Sequence, residues 1–268
     1  SDYTSGAELV NHGWAGDGPD AAAIGLSAGV DMEMVSRLYN VHGSSLVAAG
    51  RLKPEAVDEA VRRVLRAKFR AGVFERPYAA EGVEAKVLLS SSHRAEARSM
   101  AVASMVLLKN DGVLPLREEY KTLAVLGPWA TGQAELLGSW TGDGRASDVT
   151  TVLEGLREAV GSKTRLLHAA GGAEAAAAAL EADAAVVVVG EDATMSGEAA
   201  SRSSLDLPPG QLELLQAVHR TGKPYAVVLL TGRPLTIPWL AENAPAVLLA
   251  WQPGTEGGRA VADVLTGR

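Results

Sequence analysis

Cysteine is absent from the 268-residue sequence, which excludes disulfides, thiolate metal sites and a cysteine nucleophile. No run of Lys and Arg interrupts a net charge of -7 and a pI near 5.3, so a nucleic-acid partner is not expected. No apolar stretch reaches the roughly 18 residues that a bilayer span needs, and no membrane partner is expected either. The five histidines are scattered without a second His or Cys at ligand spacing, so no metal site is assigned. Phosphate-loop spacing is missing, and Gly142-Asp-Gly-Arg-Ala-Ser147 follows no apolar strand, so no nucleotide cofactor is expected. A charged and apolar leader is missing before Ser1-Asp2-Tyr3, and the chain stops as a helix gives way to Gly267. Both ends therefore read as cut from something larger.

What is present is alternation. An Asp20-capped helix over 20–29, a strand-like Val30–Met34, a helix over 35–49 and a helix opening at Pro54 and stopping at Gly72 make a first group. Residues 73–92 lack periodicity and carry Pro77, Gly82 and Ser90-Ser-Ser92, which reads as a linker. A helix over 93–106 and a turn at Asp111-Gly112 follow. Beyond residue 120, strands at 122–126, 164–168, 184–189, 225–230 and 246–250 alternate with helices at 152–160, 174–180, 209–221, 239–241 and 257–265. That order predicts an α/β/α sandwich with a mostly parallel sheet.

The unbroken run Ala184–Val189 is the most buried of these strands by composition, and a polar, glycine-punctuated loop with Glu191 and Glu198 follows it. Ligands on open α/β sheets gather past the carboxyl ends of such strands, so the loop is the candidate site. A structural cap accounts for a carboxylate there equally well, and Asp2 alone is an ordinary terminal charge; spacing does not decide. Gly25-Leu-Ser27-Ala-Gly29 has nucleophile-elbow spacing but ends a helix instead of opening one, and is set aside.

The strings taken together resemble glycoside hydrolase family 3, particularly its bacterial β-glucosidases. Ser1–Gly6 with Val10-Asn-His-Gly13, Ala28–Met34, Ala60–Phe69 with Gly72–Tyr78, and Leu107–Leu116 carry the first part of the likeness. Val189-Gly-Glu191, Gly197–Arg202, Thr231-Gly-Arg-Pro234 and Gly254–Gly258 complete it in order. The resemblance implies that residues 1–72 end a (β/α)8-type barrel, that 73–119 link, and that 120–268 form most of an α/β sandwich. It implies a retaining exo-β-glycosidase releasing glucose, with β-xylosidase activity, or a non-catalytic sugar-binding fragment, as alternatives. Asp2 then matches the nucleophile and Glu198 the acid/base, with Glu191 as the fallback. Tyr3 and Arg202 join the substrate-binding set, Tyr3 offering a ring face to a sugar and Arg202 holding the acid/base loop. Plain packing for Tyr3 and a surface salt bridge for Arg202 remain equal alternatives. The resemblance implies no cofactor, a periplasmic or secreted location, and β-linked glucosides or oligosaccharides as substrates. The rest of the barrel would be needed as a partner, with exposed strand edges left without it, and a homodimer is compatible.

Overall fold

The computed structural model describes residues 1–268. Two compact units divide the chain, Ser1–Val83 and Glu84–Arg268. No helix is long and apolar enough to cross a membrane.

The first unit holds α1 (Ser5–Asn11), α2 (Gly18–Ser27), α3 (Leu38–Ala48) and α4 (Pro54–Ala71), around a small core of Ala22, Leu26, Leu46, Leu52 and Ala60. The cap of α2 is Asp17, not the expected Asp20. Proline suits the first turn because it has no amide to satisfy, which places Asp20 where its N–H meets the Asp17 carboxylate at 2.8 Å. Helix α4 ends as expected at Gly72, left-handed at φ 68°. Val30–Met34 is not a strand. Its contacts to the chain start are the Ser1 nitrogen, which donates to the Met32 carbonyl, and the Ser1 hydroxyl, which accepts from the Met34 amide. Its backbone bonds, to Ser1, Gly25 and Ser36, go to no common strand and make no ladder, and positive φ at Val35 and Arg37 turns the chain away. The expected exposed strand edges are likewise absent, since this unit contains no strand. Exposed apolar side chains, Met32, Val61 and Phe69 among them, take their place.

A single turn, α5 (Val83–Val87), straddles the boundary, and the second unit goes on with α6 (Ser91–Ser104) and β1 (Val106–Asn110). There follow β2 (Thr122–Leu126), α7 (Ala134–Leu137), α8 (Val152–Val160), β3 (Arg165–Ala169), α9 (Gly172–Glu181) and β4 (Ala184–Gly190). The unit closes with α10 (Gln211–His219), β5 (Tyr225–Leu230), α11 (Pro238–Asn243), β6 (Ala246–Trp251) and α12 (Gly257–Thr266). The sheet order is β1-β6-β5-β4-β2-β3, parallel except for β1, which runs antiparallel to β6.

Alternation along the strands feeds two cores. Ala184, Val186 and Val188 join Leu156, Val261 and Leu265 on the α8/α12 face. Ala185, Val187 and Val189 join Ala179, Leu215 and Val218 on the α9/α10 face. Every residue of β4 is buried, which is why its sequence is an apolar run and not an alternation.

Winding runs outward from β2 to β3 in one direction and from β4 through β5 to β6 in the other. The sheet therefore reverses between β2 and β4, and the crevice at such a reversal is where ligands of open α/β sheets bind. Gly127 after β2 and Gly190 after β4 stand there. A Cβ on Gly127 would lie 2.2 Å from the Val188 carbonyl oxygen, and one on Gly190 1.9 Å from that of Leu230. Only glycine lets the two strand ends lie so close to their neighbours.

Candidate active site

The loop that leaves β4 is pinned at its root. The Gly190 carbonyl accepts from the Trp129 indole N–H (3.0 Å) and from the Gln211 side-chain amide (2.9 Å). The Gly190 amide donates to the Gln211 oxygen at 2.8 Å. Gln211 is itself buried, so the pair substitutes for a missing ladder bond.

Glu191 comes next and turns inward, its side chain fully buried. Its Oε1 accepts from Arg202 Nη1 at 2.8 Å and faces Arg233 Nε at 3.1 Å. Its Oε2 accepts from the Thr231 hydroxyl at 2.8 Å and the Gly232 amide at 3.3 Å. Burial alone would push this carboxyl up. The bonds from Arg202 and Thr231, the Arg233 charge and the Gly232 amide outweigh burial and hold it below the usual carboxylate range. Glu191 is thus an ionised anchor.

Arg202, from the far end of the loop, also donates to the Asp206 carbonyl at 3.0 Å, and its side chain is largely buried. Arg233, from the segment after β5, donates to the carbonyls of Met195 (2.5 Å) and Ala200 (2.8 Å) and to the Ser196 hydroxyl (3.3 Å). Asp192 accepts from the amide and hydroxyl of Thr194, which closes the first turn of the loop.

Glu198 lies between the two carbonyls that Arg233 holds. It is exposed and takes part in no hydrogen bond or ion pair within the chain. Its neighbours are conformationally special: Gly197 has φ +135° and Ala199 φ 58°. At Gly197 a Cβ would come 2.2 Å from Ser139 Oγ, so the loop presses on that residue's segment. The carboxyl is therefore presented on a short, held tip.

Asp2 belongs to the first unit. Its Oδ1 accepts from the Tyr3 amide at 2.8 Å, and its carbonyl accepts from the Ser5 amide and hydroxyl at 3.1 and 2.8 Å. The carboxylate is exposed, as is the Tyr3 ring. Asp2 and Tyr3 thus share one unit, and Glu198 and Arg202 share the other.

Two parts of the site were not assigned from sequence. Arg233 stands in Thr231-Gly-Arg-Pro234, a string that carries family likeness but no role by itself. Trp129 stands far from the loop in sequence and Gln211 opens the helix after it, and no local spacing ties either of them to Gly190.

Residues 105–268 match the family model described as the glycosyl hydrolase family 3 C-terminal domain. Over its full length the chain is 37% identical to a periplasmic beta-glucosidase of Salmonella typhimurium, of which it covers 40%. Over 92% of its length it is 37% identical to a beta-xylosidase of Formosa agariphila, of which it covers 38%. The structure resembles that of a beta-glucosidase from Listeria innocua in complex with glucose, with a TM-score of 0.87 and 38% identity, covering all of this chain and 38% of that one. The chain thus spans about two fifths of the length of these relatives. It belongs to glycosyl hydrolase family 3, with that family's C-terminal domain at residues 105–268.

Proposed function

We propose that this chain is part of a retaining exo-β-glycosidase that releases terminal glucose from β-glucosides or oligosaccharides. The observation that supports this most is how the loop after β4 sorts its two glutamates. Glu191 is locked as an anion by two guanidiniums, whereas Glu198 is free of partners on a held tip at the sheet's reversal point. A general acid must hold a proton and reach its substrate, and only Glu198 suits that role.

In this reading Asp2 attacks the anomeric carbon and forms a glycosyl ester, while Glu198 protonates the departing oxygen. Glu198 then takes a proton from the water that hydrolyses the ester. Such a pair works with its carboxyls about 5–5.5 Å apart. Tyr3 offers its exposed ring to the sugar, and Arg202 serves by holding the loop. Residues 1–72 end a (β/α)8-type barrel, 73–104 connect, and 105–268 form the sandwich, whose sheet takes in β1. The remaining barrel strands supply the rest of the sugar pocket. The likeness to a periplasmic beta-glucosidase favours the periplasm. Equal identity to a beta-xylosidase supports a second reading, in which the same two carboxyls cleave β-xylosides.

The test uses the full-length protein that carries this segment. A 2-fluoro glucoside should label Asp2 covalently, and peptide mapping reads the site; label on another carboxylate overturns the assignment. Glu198→Ala should lose about 10²–10⁴-fold on alkyl glucosides, far more than on dinitrophenyl glucoside, and azide should yield the β-glycosyl azide. The same pattern in Glu191→Ala and not in Glu198→Ala would reverse the two roles. Comparing glucosides with xylosides decides the sugar.

A further inference from the structure

The tip that carries Glu198 is held almost entirely by one side chain from another strand end. Met195 and Ala200 lie on either side of Glu198, and both turn their carbonyls to Arg233 Nη2. The guanidinium thus ties the two legs of the tip together, and Nε adds a third contact at the buried Ser196. Arg233 is in turn fixed from behind. Glu191 faces its Nε, Thr231 Oγ1 accepts its backbone amide, and Arg202 completes the ionic cluster.

The backbone inside the tie would not hold this shape unaided. Ala199 is a non-glycine residue in the left-handed region, a strained conformation that persists only where surroundings impose it. The restraint therefore acts on the residues flanking Glu198. A displacement of about 1 Å at a reacting group can cost 10²-fold in rate.

We propose that Arg233 is a positioning residue for Glu198, setting where its carboxyl stands by gripping the backbone on both sides of it. The proposal rests on Glu198 being the acid/base. The planar fork matters as much as the charge, because a lysine ammonium lacks the fixed pair of nitrogens that reaches Ser196 through Nε and both carbonyls through Nη2.

The experiment compares Arg233→Lys and Arg233→Met in the full-length protein, with an alkyl β-glucoside and 2,4-dinitrophenyl β-glucoside as substrates. Arg233→Lys keeps a cation against Glu191, so it is the informative variant if Arg233→Met does not fold. For the alkyl glucoside kcat/KM should fall about 30–100-fold, with most of the loss in kcat. The dinitrophenyl substrate, which needs no acid, should change less than about threefold. Adding Arg233→Lys to Glu198→Ala should then cost nothing more. Equal loss on both substrates, or loss of thermal stability with unchanged kinetics, makes Arg233 merely structural and overturns the proposal. Absence of leaving-group selectivity in Glu198→Ala itself would instead sink the acid/base reading, so the two failures are told apart.

Discussion

Glu191 and Glu198 sit on one loop, and their surroundings make them chemically different. Removing Glu191 leaves two guanidiniums facing each other in a largely dry pocket. Breaking a buried ionic cluster this way costs about 3–5 kcal/mol, and the lower end applies because Arg202 and Arg233 keep some access to water. Glu191→Ala should therefore lower stability by about 3 kcal/mol in urea unfolding. A carboxyl with a depressed folded pKa stabilises fully above its ordinary value, near 4.5, and loses that contribution as pH falls through the folded value. Wild type should lose more stability between about pH 5 and 3 than Glu191→Gln does. Glu158, bonded by Arg259, and Asp192, bonded by Thr194, are also held low and titrate in both proteins. The readout is thus the difference between the two urea midpoints. Equal pH dependence would mean that Glu191 is not the anion described. None of this inequality could be read from sequence, where both residues are simply glutamates after a strand.

Helix α8 packs on α12 backbone to backbone. A Cβ on Gly155 would fall 2.1 Å from the Gly258 carbonyl oxygen, and one on Gly258 2.0 Å from that of Thr151. Backbone cannot yield as a side-chain tip does, so Gly258→Ala should destabilise by about 3 kcal/mol, the upper part of the usual overpacking range. Gly43→Ala, in mid-α3 with open space around it, should instead stabilise by about 0.5–1 kcal/mol. Thermal melts of both variants check the contrast, and a tolerated Gly258→Ala would refute the close approach. Beside this contact, buried Glu256 receives Arg94 and Arg259 at 2.5 and 2.8 Å, which gives Gly254–Gly258 a packing role. The parallel strands were legible because burial on both faces forces apolar runs. Strand β1 was not, because it is a largely exposed edge whose identity comes from pairing with β6. The turn at Asp111-Gly112 was legible. Its organiser was not: the Asn110 side chain accepts from the amides of Gly112, Val113 and Leu114.

At the scale of the whole chain, the boundary between the two units falls in a stretch that is exposed from Glu75 through Leu88. Trypsin should cut first at Lys86, leaving a resistant fragment of the second unit that still melts cooperatively. Early cuts spread through both units would contradict that division. The site was legible as a loop past a buried strand because chain order placed it there. Its clamp was not, because Arg233 arrives from a different strand end, and contacts between distant segments leave no local spacing. One consequence of that clamp concerns how such enzymes diversify. Two of the three groups on the tip that Arg233 grips are peptide oxygens, which every amino acid possesses. The grip is therefore indifferent to most of the side chains it encloses. Ala200 and Ser201, next to Glu198, are positions whose side chains can be rewritten while the path of the loop is kept, a natural place for substrate preference to drift and for libraries to be built.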